Sequence, residues 1–377
     1  MNPMRIAVSN SMRIWGGGEN WSLTVSHGLA LRGHSVVLVC QPDGELHRRA
    51  LAEEVDNFSV APLALRGDLN PLGILRSRAL FRRKRIQLVV CNLDREVRTL
   101  GVAARLSGRI VFVRRRGSDY PFRNRLRFRL TYRHLVDRVL VNSESTRNSI
   151  LEQNRWMPPG KLFRIYNGIP VEHFYPSSRL RSAARRELGY GEGDFVIGMA
   201  GALLPRKRHL TLIRAASAVN DRIPDLRLLI LGQERDPAFA DLLRRTACEL
   251  GVADALDLHG RVTDMNRFYN AMDLFVMPSE NEGFGYAAAE AMAAGVATVV
   301  SDASSLPEVL GTNGRTGFII PLDDHAALAG ILQRLQEDAG TRQTVAAAGR
   351  ERVLKEFGLD RMVRETESFF AGLLRSQ

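Results

Sequence analysis

Short, nearly continuous apolar runs recur along the chain, each followed by a longer amphipathic stretch, which is the pattern of buried parallel strands alternating with helices. In the first half such runs fall at 5–10 (RIAVSN), 35–40 (SVVLVC), 58–63 (FSVAPL), 87–92 (QLVVCN), 109–114 (RIVFVR) and 138–143 (RVLVNS). The rhythm returns at 194–201 (DFVIGMAG), 226–232 (LRLLILG), 256–262 (LDLHGRV), 274–279 (LFVMPS), 297–302 (ATVVSD) and 317–321 (GFIIP). Six strands followed by six predict an α/β protein of two doubly wound sheets, and a length of 377 residues suits two domains. The segment YNGIPVEHFYPSS (166–178), with Gly168, Pro170 and Pro176, interrupts the rhythm and reads as the linker, giving domains at 1–170 and from 171 onward. Ligands of open α/β sheets sit beyond the carboxyl ends of the strands, so two sheets facing each other would share one cleft.

Charge divides the chain at the same place. Residues 1–170 hold 29 Lys and Arg against 13 Asp and Glu, a net of +16, whereas residues 171–377 hold 24 against 28, a net of −4. A field of that kind draws anionic partners: nucleic acid, an acidic membrane surface or a phosphorylated acceptor. The arginines concentrate in two runs, RSRALFRRKR (76–85) and RNRLRFRLTYR (123–133). In the second, Phe122, Leu126 and Leu130 recur every four residues beside a stripe of Arg125, Arg129 and Arg133, as in a basic amphipathic helix, although a period of two also fits. One such run is commonly just a solvated face. Two in a domain of net +16 favour an anionic membrane surface as partner, and no aromatic platform accompanies them to stack nucleic-acid bases. Three isolated cysteines (Cys40, Cys91, Cys248) cannot form a disulfide framework, the opening MNPMRIAVSN turns polar too early for a secretory signal, and no run of about 18 apolar residues occurs. The expected location is cytoplasmic, peripheral at the inner face of the cytoplasmic membrane.

Two segments carry chemistry. The loop WGGGENW (15–21) follows the first strand and leads into a helix, so Gly17 and Gly18 could bring backbone N–H groups to an anion at the helix start, or simply make a flexible turn. The spacing is not that of a dinucleotide fingerprint. The second segment, MPSENEGFGYAAAEAMAAGVATVVSD (277–302), is richer. Ser279 ends a buried strand. Glu282 lies in the following loop, Gly283, Phe284 and Gly285 can offer backbone N–H groups to a phosphate or sugar, and Glu290 on the next helix can accept hydrogen bonds from a pair of ribose hydroxyls.

Glu282 and Glu290, eight apart within PSENEGFGYAAAE, resemble the Glu-x7-Glu motif of the retaining glycosyltransferases of family four. The resemblance extends through GGGENW, VNSESTRNSI, YNGIPVEHFYP, AGALLPRKRHLTLIRAA, HGRVTDMNRFYNAMDLFVMPS and GRTGFIIPLDDHAAL, in the family's order. It implies the GT-B fold, with a second domain at 171–358 holding a nucleotide sugar and a closing helix at 359–377 packing back towards the first domain. It also implies that Glu290 binds the donor ribose, that Glu282 lies beside the donor sugar, and that Gly17, Gly18, Gly201, Ser279, Arg261 and the backbone from Gly283 to Gly285 meet the donor. The family's diphosphate-binding lysine corresponds to Lys207. Its arginine is replaced by Ala202, so Arg206, more than Arg208, is expected to supply the missing charge, because a departing diphosphate needs cationic stabilisation. Where the family often carries a histidine in the first domain, this chain has Arg114, Arg115 and Arg116, candidates for an anionic acceptor. No Asp-x-Asp occurs, so neither a metal nor any other cofactor is expected. The reading is a retaining transfer from a nucleotide-diphosphate sugar, UDP favoured, to a hydroxyl of an envelope glycolipid or polysaccharide precursor. A non-catalytic nucleotide-sugar-binding protein and a nucleotide-sugar isomerase of the same fold are the alternatives.

Overall fold

The computed structural model describes residues 2–65 and 68–376, so the outermost expected domain positions, 1 and 377, lie outside the described residues. The chain forms two compact units, Met1–Gly168 with Leu359–Gln377, and Ile169–Gly358.

The first unit is built on β1 (Arg5–Asn10), β2 (Ser35–Cys40), β3 (Phe58–Pro62), β4 (Leu88–Cys91), β5 (Val111–Arg116), β6 (Arg138–Val141) and β7 (Leu162–Arg164). Their order is β3-β2-β1-β4-β5-β6-β7, and every pairing is parallel. The apolar runs are continuous because both faces are covered. Ile6, Val8, Leu88 and Val90 enter one core, while Ala7, Val89 and Cys91 enter the other. Two details correct the sequence reading. There are seven strands and not six, since β7 is a three-residue edge strand too short to show a period. Strand β5 begins at Val111 and runs to Arg116, two residues beyond the expected 109–114, because Arg115 and Arg116 stand opposite Leu140 and Val141 of β6, so they belong to the strand as Arg114 does.

The helix Leu359–Arg375 completes this unit. Its Met362, Val363, Phe370 and Ala371 enter the core under the helix Gly17–Leu31. The approach is close at Gly28, where a Cβ would fall 2.5 Å from Val363 Cγ2. Glu367 accepts hydrogen bonds from Arg32 Nε at 2.6 Å and His34 Nε2 at 2.9 Å, and Phe163 stacks on Phe369 with ring centres 4.3 Å apart.

The second unit contains β8 (Phe195–Ala200), β9 (Leu226–Leu231), β10 (Leu256–Gly260), β11 (Leu274–Met277), β12 (Ala297–Ser301) and β13 (Phe318–Ile320), ordered β10-β9-β8-β11-β12-β13 and parallel throughout. In each sheet the strand order reverses at one place, between β1 and β4 and between β8 and β11. Those switch points are where doubly wound sheets open a crevice for ligand.

Candidate functional site

Three loops leave the carboxyl ends of β8, β11 and β12 at the second switch point. The first is narrow at Gly201, whose φ of +146° suits glycine and whose absent side chain leaves room for Lys207, with Cε 3.2 Å from where a Cβ would stand. Lys207 is buried, and its ammonium donates to the Glu282 carboxylate on the loop after β11. Both side chains are mostly enclosed, at 11% and 13% exposure, so this is an ion pair in a low-dielectric setting and not a surface contact. Backbone bonds hold the two loops together: Glu280 N–H donates to Arg206 C=O at 2.9 Å. The third loop fixes Glu282 from behind. Ser304 Oγ donates to the Glu282 carbonyl at 2.6 Å and accepts from its N–H at 3.3 Å, while Ser305 Oγ donates to the same carbonyl at 2.8 Å.

Gly285 caps the helix Tyr286–Ala293 at φ +92°, a conformation in which glycine avoids the Cβ penalty and in which a side chain would also meet Leu306 Cδ2 at 2.8 Å. Glu290 follows on this helix, part-buried, with Oε2 accepting from Tyr269 Oη at 3.0 Å. Burial pushes the Glu290 carboxyl up to about 7 against the smaller opposing pull of the Tyr269 hydrogen bond. Tyr269 lies on the helix Met265–Ala271, fully buried, and the sequence reading missed it. The signal available was a tyrosine at an apolar helical position, whose hydroxyl needs a partner once the ring is buried.

The remaining expected residues scatter. The Ser279 hydroxyl is buried just after β11 with no hydrogen-bond partner among the described residues, while its carbonyl accepts from Ser301 Oγ at 2.6 Å. Arg261 is exposed after β10. Arg206 is exposed and donates to the Asn281 carbonyl at 3.1 Å. Arg208 sits in the left-handed region at φ +57° and pairs with Glu280 at 2.9 Å and Asp323 at 3.4 Å. His209, which begins the next helix, is pushed down to about 4 by burial and then by the Lys207 charge, so it is neutral at physiological pH.

In the first unit, Gly17 and Gly18 form the first turn of the helix Gly17–Leu31, so the expected glycine loop is shorter than the sequence reading made it. The three arginines of β5 are heavily engaged. Arg114 is buried, pairs with Asp94 at 3.0 Å and donates to the Asn92 carbonyl at 2.7 Å. Arg116 reaches the other Asp94 oxygen at 3.0 Å and the Tyr120 carbonyl at 2.8 Å. Arg115, also buried, donates to Asn167 Oδ1 at 3.1 Å and lies over the Trp21 ring at 4.5 Å. Among the described residues no group of three or more His, Cys, Asp and Glu side chains is placed to hold a metal ion, and no helix is long and apolar enough to cross a membrane.

Residues 15–173 match the family described as Glycosyltransferase Family 4, and residues 181–352 match the family described as Glycosyl transferases group 1. Both units carry glycosyltransferase family signatures. Among curated relatives, the chain is 28% identical over 249 residues to a D-inositol 3-phosphate glycosyltransferase of Streptomyces avermitilis, covering 64% of this chain and 53% of that protein. It is 29% identical over 214 residues to the lipopolysaccharide core biosynthesis mannosyltransferase LpsB of Rhizobium meliloti, covering 56% and 61%. The chain thus spans about half to three fifths of the curated relatives it matches. The solved structure of Anabaena HepE in complex with UDP and glucose has the same fold, with a TM-score of 0.85 at 19% identity over 98% of this chain and 100% of that one.

Proposed function

We propose that the chain is a retaining glycosyltransferase that moves a sugar from a nucleotide-diphosphate donor, UDP favoured, to a hydroxyl of an envelope glycolipid or polysaccharide precursor. The observation that carries this reading is the enclosed Lys207–Glu282 pair at the β8–β11 switch point, with Glu290 on the adjoining helix. A diphosphate entering there exchanges the Glu282 partner of Lys207 for its own oxygens, and the Lys207 charge stabilises the negative charge that grows on the leaving phosphate. Arg206, exposed on the same loop, supplies a second cation. Glu290 accepts the ribose hydroxyls. In the transfer itself the bond from the sugar C1 to the β-phosphate oxygen breaks while the acceptor oxygen bonds to C1 on the same face. The acceptor proton passes to the departing phosphate oxygen, so no protein base is required.

Cationic side chains and backbone N–H groups do the work here that a divalent metal does elsewhere, and turnover is expected to persist in EDTA. The relative named for lipopolysaccharide core biosynthesis supports a glycan or glycolipid acceptor, and the HepE complex supports UDP. The working place proposed is the inner face of the cytoplasmic membrane. On the helix Leu126–His134, Leu126 and Leu130 point outward at 70% and 47% exposure beside Arg129 and Arg133, as an interfacial helix requires. Calorimetry with UDP and UDP sugars tests the donor site, and NMR of the product anomer tests retention. No heat with any nucleotide, or an inverted product, would overturn the respective part. Co-sedimentation with phosphatidylglycerol vesicles that is lost in high salt and in Leu126→Ser with Leu130→Ser tests the membrane reading, and equal binding to phosphatidylcholine would end it.

A further inference from the structure

At the switch point of the first sheet, beyond the ends of β1 and β4, lies a cavity of about 340 Å³ lined by Met12, Asp68, Asp94, Arg95, Arg123 and Arg127 among others. Its charges do not cancel. The Asp68 carboxylate receives Arg98 Nε at 2.6 Å, and the Asp94 carboxylate is shared by Arg114, Arg116 and the Tyr132 hydroxyl. Burial alone would raise Asp94, but Arg114 and Arg116 outweigh it and hold the carboxyl below its ordinary range. Both acids are therefore already paired with cations other than the three arginines that line the cavity. Among the described residues, Arg95, Arg123 and Arg127 form no ion pair with a carboxylate. Arg95 is held in place instead by neutral partners, donating to Ser11 Oγ at 3.0 Å and to the Ser11 carbonyl. Ser11 is fixed in turn, because its N–H donates to the buried Glu96 carboxylate at 2.5 Å, which also accepts from Ser9 Oγ at 2.9 Å.

We infer that this cavity binds a phosphate group of the acceptor, held by Arg95, Arg123 and Arg127. Three guanidinium groups without a counter-ion among the described residues, around a cavity large enough for a phosphorylated sugar or headgroup, meet an anion at the place where a doubly wound sheet receives its ligand. Arg114 and Arg116 of β5 are spent on Asp94, one of the lining acids, and Arg115 on Asn167. The inference rests on the proposed transferase reading for the identity of the ligand as acceptor, but the phosphate site itself does not depend on it. It also divides the basic run 123–133, with Arg123 and Arg127 facing this cavity and Arg129 and Arg133 lining a separate groove with Leu126 and Leu130.

Hydrogen exchange read peptide by peptide tests this, because it separates the cavity from any phosphate bound near Lys207. Glucose 6-phosphate or inorganic phosphate should slow exchange in segments 93–97 and 123–128, whereas glucose should not. Arg123→Gln with Arg127→Gln, both exposed and without ion pairs, should weaken that response about tenfold, a loss of about 1.4 kcal/mol, while Arg82→Gln should leave it unchanged. Protection by phosphatidylglycerol vesicles but not by the soluble phosphates would assign the bound group to a lipid headgroup. Protection that is equal with glucose, absent from both segments with every phosphate source, or undiminished in the double variant would overturn the inference. Absence of UDP binding by calorimetry would remove the donor reading and leave this result standing.

Discussion

The two units share one architecture and use it with opposite electrostatics. Each is a parallel sheet with a single reversal of strand order, and each places its chemically interesting loops at that reversal. In the second unit the loops bring a lysine and a glutamate together, enclosed and mutually neutralising, in a half of the chain with net charge −4. In the first unit, part of a half with net charge +16, the cavity at the reversal keeps three arginines that have no ion-pair partner among the described residues. The scaffold decides where a ligand sits. The loops decide what it is: a site whose cation is already paired can release it to a diphosphate and recover it afterwards, whereas a site of unpaired guanidinium groups waits for an anion to arrive.

The most severe way to break this contrast is Lys207→Ala. Turnover should fall about 100- to 1,000-fold, as when one transition-state charge donor is removed. The variant should also lose stability on the order of 3 kcal/mol, because Glu282 is left enclosed without its partner. Adding Glu282→Gln should recover stability without recovering turnover, as read by urea unfolding beside a donor-turnover assay. Full activity in Lys207→Ala would make the pair purely structural.

A smaller effect, with an unusual sign, is expected at Glu290. Glu290→Gln should weaken UDP binding by roughly 1.5–3 kcal/mol through the loss of charge-assisted hydrogen bonds. The same variant should be the more stable protein above neutral pH. The carboxyl is pushed up to about 7, above its ordinary value of 4.5, so its protonated form is the one the fold favours. That contribution is fully present below about 4.5 and is lost as pH rises through 7, by on the order of 2 kcal/mol after allowance for partial solvation. Ribose hydroxyls donate to the ionised form, so UDP affinity of the parent should rise between pH 6 and 8, and in Glu290→Gln both profiles should be flat over that range. An affinity independent of pH in the parent would take Glu290 out of the ribose site.

Arg208 should matter least. Its left-handed backbone costs about 1 kcal/mol relative to glycine, and its half-exposed ion pairs return about as much. Arg208→Gly should therefore shift unfolding by less than about 1 kcal/mol and leave turnover near that of the parent. A loss as large as that of Lys207→Ala would move the second diphosphate charge from Arg206 to Arg208.

The strands were legible because sheets covered on both faces demand continuous apolar runs, and twelve of them were located from that property alone, with β7 lost to its length of three residues. Glu282 and Glu290 drew attention for a different reason, through the glycines between them and the resemblance to family four, which also singled out Lys207; the structure puts Glu282 in the loop after β11, Glu290 on the helix that follows and Lys207 in the turn after β8. What the sequence could not convey was pairing. Arg114 and Arg116 look like available cations until Asp94, twenty and more residues earlier, is seen to neutralise them. Tyr269 looks like a core residue until its hydroxyl meets Glu290 from a different helix. The arginines between 123 and 133 look like one basic run, yet Arg123 and Arg127 line one surface and Arg129 and Arg133 another.

The return of the last helix to the first unit sets a timetable for synthesis. The chain leaves that unit at Gly168 and re-enters it at Leu359, after the 190 residues of the second unit. At roughly 5–20 residues per second, a ribosome needs on the order of ten to forty seconds to cross that interval. Throughout it the helix Gly17–Leu31 lacks the Met362, Val363 and Phe370 side chains that complete its core, and Gly28 presents bare backbone where Val363 will later pack. The second unit can close on itself in the meantime, for its own two ends already meet where Ile169 N–H donates to the Phe357 carbonyl at 2.9 Å. The unit begun first is therefore the one finished last.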